Sequence, residues 1–133
     1  MNSYYNKPNL KNILFDDYKN NIPNLKGKFF AITGTTSGTG YYAARTIGEK
    51  GGTVYLLNRK SERSEHSYNN LKSINPKSNY IQIECDLSNF DSVKEAVSQL
   101  SSICSDGLDA LCNNAGVMAL KDQATKDGFD IQM

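Results

Sequence analysis

Three glycines spaced G-x-x-x-G-x-G, in Thr33-Gly34-Thr35-Thr36-Ser37-Gly38-Thr39-Gly40, are the residues of this chain whose types and spacing could most directly do chemistry. Glycine at such places lets a backbone turn sharply, approach a phosphate with no Cβ in the way, and seat the following helix close to a sheet. The chemistry would be anion binding, because a helix N-terminus presents unpaired N–H groups and a partial positive charge. The same glycines in another setting would suit an ordinary loop, but here an apolar run at 29–32 precedes them and a helix-patterned segment follows. A second polar cluster, Asn113-Asn114-Ala115-Gly116, also follows an apolar run. His66, the single histidine, sits in a polar stretch with no partner constellation and reads as a surface residue. Cys85, Cys104 and Cys112 lie in apolar segments without the paired spacing of a zinc or redox site. They read as small core residues in a reducing compartment, and no metal site is expected.

At 133 residues the chain fits one domain at most. A net charge of +1 with both signs interspersed gives no field to attract nucleic acid or an anionic membrane. No run approaches the ~18 apolar residues of a spanning helix and no signal-peptide pattern is present, so a soluble, cytoplasmic protein is expected. The first 24 residues hold seven Asn and two Pro, too polar and interrupted to predict packed structure. The division expected is therefore a polar arm at 1–25 and a packed unit at 26–133, with Ile13-Leu14-Phe15 docking on that unit.

The packed unit must hold the two loops in place. After the turn, Gly40, Ala43, Ala44 and Ile47 recur at helical spacing until Gly51-Gly52 ends the helix. Residues 53–57 (Thr-Val-Tyr-Leu-Leu) form a continuous apolar run suited to a strand covered on both faces. A polar helix at 61–73 follows, then a strand at 80–85 and a helix announced by Ser88 and Asp91. That helix carries Phe90, Val93, Val97, Leu100 and Cys104 on one stripe, and residues 108–112 make a fourth strand. Strands alternating with helices predict an α/β fold, a doubly wound parallel sheet.

These residues resemble the short-chain dehydrogenases/reductases, in particular their retinol-dehydrogenase-like and protochlorophyllide-reductase-like branch. The resemblance covers residues 25–133: Leu25-x-Gly27-Lys28, the T-G-x-x-x-G-x-G turn, Asn58-Arg59, Asp86-Leu87, Asn113-Asn114-Ala115-Gly116, and Thr125-Lys126-Asp127-Gly128-Phe129-Asp130, which is similar to the branch's T-x-D-G-F-E segment. It implies a Rossmann-type sheet of strand order 3-2-1-4, incomplete at its C-terminal half. In that order the turn after strand one and the loop after strand four face each other across the crevice where ligands bind. It also implies a nicotinamide dinucleotide held by Gly34, Thr35, Ser37, Gly38, Thr39 and Gly40. Asp86 would meet the adenine amino group and Leu87 its ring, while Asn113, Asn114, Ala115 and Gly116 would line the pocket and steady the sheet.

Cofactor choice falls to Asn58 and Arg59. NAD sites place a carboxylate about 20 residues past the glycines, whereas an Arg there suits the 2′-phosphate of NADP. Asn58-Arg59-Lys60 has no carboxylate, so NADP(H) is expected over NAD(H). The family's catalytic Asn, Ser and Tyr-x-x-x-Lys are expected beyond residue 133, and no catalytic residue is assigned. Tyr68 and Lys72 match that spacing but follow strand two, far from the catalytic place in family order. The expected function is the cofactor-binding half of an NADP(H)-dependent oxidoreductase that moves hydride between carbonyl and alcohol. The alternative is a non-catalytic NADP(H)-binding protein or a truncated, inactive relative. The substrate, whether retinoid, steroid or small carbonyl, is open. With strand four unpaired on its free side, the chain alone is expected to self-associate and to lack turnover.

Overall fold

Alternation of apolar side chains at period two makes the central strand a wall between two cores. The computed structural model describes residues 13–132, without the side chains of residues 13 and 14. Four strands, β1 (Phe29–Thr33), β2 (Thr53–Asn58), β3 (Tyr80–Glu84) and β4 (Ala110–Cys112), pair in parallel in the order β3-β2-β1-β4. Val54 and Leu56 point to one face, where they meet Ile32, Ala44, Leu71 and Tyr80 beneath α2 (Gly38–Glu49) and α3 (Glu62–Ile74). Tyr55 and Leu57 point to the other, with Ala31, Ile83, Cys85 and Ala96, beneath α4 (Phe90–Ile103). This is the doubly wound α/β arrangement that the alternation of strands and helices predicts.

Several local expectations change. The stretch expected to lack packed structure contains a helix, α1 (Ile13–Asn21), whose Lys19 pairs with Glu49 at the end of α2, while Leu25 N–H donates to Lys50 O at 2.8 Å. Burial alone would raise the Glu49 pKa, but the bonds from Lys19 and Arg45 outweigh it and hold the carboxyl below its ordinary value. Phe15 is partly buried; the docking expected of Ile13 and Leu14 lies outside the described side chains, as do residues 1–12. The fourth strand begins at Ala110 instead of 108; just before it the Asp109 N–H donates to Phe29 O at 2.9 Å, while the Asp109 carboxylate takes the Phe29 N–H and the Lys28 ammonium, both at 2.8 Å. On α4, Val93, Leu100 and Cys104 pack inward around Ala96, whereas Val97 and Phe90 stay exposed on the flank away from that contact. Cys85 is buried, but Cys104, at the end of α4, is only partly covered and Cys112, on the edge strand β4, is exposed. No helix among those residues is long and apolar enough to cross a membrane, and no cluster of three His, Cys, Asp or Glu there could hold a metal ion.

Candidate cofactor site

Parallel strands deliver their following loops to one edge of the sheet, and the order β3-β2-β1-β4 sets the loops after β1 and β4 side by side. The contact between them is direct. Asn114 Nδ2 donates to Thr33 O at 3.0 Å and Gly34 O at 3.1 Å, and Ala115 N–H donates to Thr33 Oγ1 at 3.0 Å. Two glycines make room for this joint. A Cβ on Gly34, which has φ +72°, would lie 2.8 Å from Ala115 Cα, and one on Gly40 would lie 2.4 Å from Asn114 Nδ2. Gly38 differs: its φ is +59°, yet no atom of the described residues lies within 4 Å of where its Cβ would be. Its outer side faces open space, as a cradle for a ligand's phosphates requires.

The helix behind the turn keeps its N-terminus available. Ser37, the N-cap of α2, makes no side-chain cap bond, whereas Ser61 caps α3 and Asn89 caps α4. Ser37 Oγ instead accepts from Arg63, a residue in the first turn of α3. Thr39 is exposed beside Gly38 on the same rim.

Thr35 and Asn58 belong to the scaffold beneath that rim. Thr35 is buried; its N–H donates to Asn58 Oδ1 and its Oγ1 accepts from Asn58 Nδ2, both at 2.8 Å, while its carbonyl accepts from Ser67 Oγ at 2.9 Å. Both ends of the Asn58 amide are thereby engaged in tying the turn to the end of β2. Arg59, one residue on, is exposed, and its positive charge helps hold Asp86 in its ionised form.

Asp86 follows β3 on the same edge. Its Oδ1 accepts from Ser88 Oγ at 2.7 Å and Ser88 N–H at 2.9 Å, and its own N–H donates to Ser92 Oγ at 3.0 Å. The Ser88 hydroxyl bond is the largest influence holding this carboxyl below its ordinary pKa, with partial burial opposing it. The helix start expected at Ser88 is therefore displaced: Ser88 serves Asp86, and Asn89 Oδ1 takes the Asp91 N–H at 3.2 Å. Leu87 next to it is 48% exposed, as are Asn113 and Gly116 after β4 in large part.

The structure thus brings the candidate cofactor residues of the sequence, 34–40, 58–59, 86–87 and 113–116, to one edge of the sheet. Asn58, Thr35, Asn114 and Ala115 position the rim; Ser37, Gly38, Thr39, Arg59, Leu87, Asn113 and Gly116 lie on it. Sequence reasoning missed Thr33, Ser67 and Arg63. Arg63 carries no sequence signal of its own; its contact with Ser37 depends on how α3 sits against the turn. Tyr68 and Lys72 stand apart: Tyr68 packs into the core under α2 and α3, and Lys72 Nζ donates to Ser78 O at 2.9 Å. His66 is exposed on α3.

The family model for short chain dehydrogenases matches residues 28–132, nearly the whole packed unit. The chain belongs to the short-chain dehydrogenase family. Among curated relatives of this family, the short-chain dehydrogenase/reductase sthC of Phaeosphaeria nodorum is 37% identical over 118 residues, covering 84% of this chain and 37% of that protein. An uncharacterized protein of Mycobacterium paratuberculosis has a similar crystal structure, with TM-score 0.73 and 30% identity over 86% of this chain and 39% of that one. The NADPH-dependent 3-quinuclidinone reductase of Rhodotorula rubra matches with TM-score 0.61 and 30% identity over 91% of this chain and 42% of that one. This short-chain dehydrogenase sequence spans about a third of the length of the curated relatives it matches.

Proposed function

We propose that this chain is the NADP(H)-binding half of an oxidoreductase that interconverts a carbonyl and an alcohol. The observation that carries the reading is the end of β2, where Arg59 stands exposed and no carboxylate follows the glycine turn at the place that would hold a ribose 2′-hydroxyl. A guanidinium there favours a 2′-phosphate through charge-assisted bonds. Arg63 on Ser37 adds a second guanidinium at the same rim.

In this reading Gly38, Thr39 and the open N-terminus of α2 take the pyrophosphate, Arg59 the 2′-phosphate, and Asp86 with Leu87 the adenine. Asn113 and Gly116 line the far wall, and Asn58, Thr35, Asn114 and Ala115 keep the walls in register. The nicotinamide would supply or accept hydride; the residues here bind and orient it. The acid/base residues and the substrate site are assigned to the part of the relatives' length that this chain does not span. Residues 1–25 act as an arm and 26–133 as the cofactor-binding unit of a cytoplasmic enzyme. Thr125-Lys126-Asp127-Gly128-Phe129-Asp130 supports the retinol-dehydrogenase-like branch. The NADPH-dependent reductase among the structural relatives is in keeping with the cofactor choice.

The test is titration of the chain with NADPH and NADH, read by nicotinamide fluorescence. NADPH should bind more tightly by about 10- to 100-fold, the factor expected of a charged hydrogen bond worth ~1.5–3 kcal/mol, and Arg59→Ala should remove most of the difference. Equal affinity in the parent chain would overturn the NADP assignment.

A further inference from the structure

The turn at 124–130 folds back on itself, with Thr125 N–H donating to Phe129 O at 2.7 Å and a bridge between Ala124 and Asp130. It then closes over the start of α4, nearly forty residues earlier in the chain. Asp127 Oδ2 accepts the Phe90 N–H at 2.7 Å, and Lys126 N–H donates to Ser88 O at 3.0 Å. Lys126 Nζ reaches Asn89 Oδ1 at 3.3 Å and Asp91 Oδ2 at 3.2 Å, and the rings of Phe90 and Phe129 sit 5.3 Å apart. Two free N–H groups at the start of α4 are thus satisfied by two different segments: Asp91 by Asn89, and Phe90 by Asp127.

What lies between these contacts matters. Ser88, whose carbonyl is held by Lys126, is the residue whose N–H and hydroxyl hold the Asp86 carboxylate. The backbone bond from Lys126 and the bond from Asp127 therefore fix the short segment 86–90 from outside, and the Asp86 and Leu87 side chains are aimed by that segment. We propose that Asp127 and Lys126 are positioning residues for the cofactor site: the 124–130 turn clamps the α4 N-terminus so that Asp86 and Leu87 are presented to an adenine nucleotide. This rests on the cofactor reading above, and it gives the T-x-D-G-F segment a physical task.

The test measures binding of adenosine 2′,5′-bisphosphate and NADPH to the 133-residue chain and its variants, at a temperature where each is fully folded by far-UV circular dichroism. Asp127→Ala should weaken both ligands by about the same factor, roughly 2- to 30-fold, the range for coupling through a neighbouring packed element. Asp127→Asn keeps an oxygen to accept the Phe90 N–H and should retain most of the affinity. In an Asp86→Ala background, Asp127→Ala should cost clearly less affinity than in the parent, because one of the two residues it positions is already gone and only Leu87 is left to misplace. A merely structural role would lower the unfolding temperature but leave the folded protein's affinity unchanged, and that result would overturn the proposal. So would full additivity with Asp86→Ala. Should Asp127→Ala not fold, hydrogen exchange on the parent chain decides: adenosine 2′,5′-bisphosphate should slow amide exchange at 124–130, which the ligand does not touch, by the reciprocity of coupled equilibria. Protection confined to 34–40 and 86–87 would refute the clamp. Absence of any binding to the parent chain would instead refute the cofactor reading.

Discussion

Replacing Asn58 with alanine isolates the joint that ties the glycine turn to β2. The substitution removes two hydrogen bonds of 2.8 Å to Thr35, one to its N–H and one to its hydroxyl. Each such bond contributes about 0.5–1.5 kcal/mol net, but Thr35 is 0% exposed, so its N–H is left with neither a protein partner nor water. An orphaned buried donor costs about 1–3 kcal/mol, and with the lost hydroxyl bond the sum for Asn58→Ala is about 1.5–4.5 kcal/mol, a large share of the roughly 5–15 kcal/mol that holds a typical domain. Asn58→Asp should behave differently, because one carboxylate oxygen still accepts the N–H and the other can accept the hydroxyl after it rotates. It should stay within about 1 kcal/mol of the parent. The chain has no Trp, so urea unfolding at low protein concentration is followed by far-UV circular dichroism. A cycle with Thr35→Val then isolates the hydroxyl bond, with an expected coupling of about 0.5–1.5 kcal/mol. An alanine variant within about 0.5 kcal/mol of the parent, or an aspartate variant as unstable as alanine, would refute the claim that the Asn58 amide is a strut of the turn.

Gly34→Ala forces a Cβ to within 2.8 Å of Ala115 Cα at a φ of +72°, so it should lower stability by at least the ~1–2 kcal/mol of left-handed strain and also abolish NADPH binding, checked by melting and titration. Gly38→Val should instead lose NADPH binding while the far-UV spectrum stays close to that of the parent, because its surroundings are open; undiminished affinity would place the phosphates elsewhere. The Asp86 carboxyl is held below its unfolded pKa chiefly by the Ser88 hydroxyl, so the stability it contributes is present above about pH 4 and lost as pH falls through the lower folded value. The stability gap between the parent and Ser88→Ala should accordingly be full at neutral pH and close on acidification; a gap independent of pH would contradict this. With Leu111 56%, Val117 52% and Met118 84% exposed at or after a β4 edge that no strand covers among the described residues, the 133-residue chain should self-associate across the micromolar range in sedimentation, and Leu111→Lys should reduce it.

The sheet order and its helices were legible because local pattern and long-range packing agree there. The Val54, Leu56 and Tyr55, Leu57 alternation in β2 marks a strand covered on both faces, and that is where it sits. The four motif loops were legible for the same reason, since a parallel sheet carries them to one edge whatever their side chains do. What the sequence could not show are the contacts made between distant residues. Helix α1 has no strong apolar stripe of its own and is anchored in part by Lys19 on Glu49, thirty residues away. The start of α4 is shared between Asn89 and Asp127, so a local Ser88-Asp91 pattern was read where a tertiary contact decides. Asn58 reads as a residue of the cofactor site, whereas its amide holds Thr35, a partner twenty-three positions earlier that only the folded β1-to-α2 turn brings near.

The three glycines of the turn divide in a way that their spacing alone conceals. Gly34 and Gly40 are accounted for from within: Ala115 and Asn114 occupy the space their side chains would need, so these two would be required even in a protein that bound nothing. Gly38 is not, because no described residue comes near its Cβ position and only its left-handed backbone restricts it. The same holds for the helix it opens, whose N-terminus has no side-chain cap while α3 and α4 have theirs. Packing among the described residues explains the inner side of this turn and not Gly38, so the proposal of a bound phosphate rests on Gly38 and the α2 N-terminus and not on the count of glycines. A G-x-x-x-G-x-G pattern is then two statements joined: the flanking pair concerns how closely the loop after β4 can approach the turn after β1, and the middle glycine, which that packing does not explain, is the one the Gly38→Val titration tests.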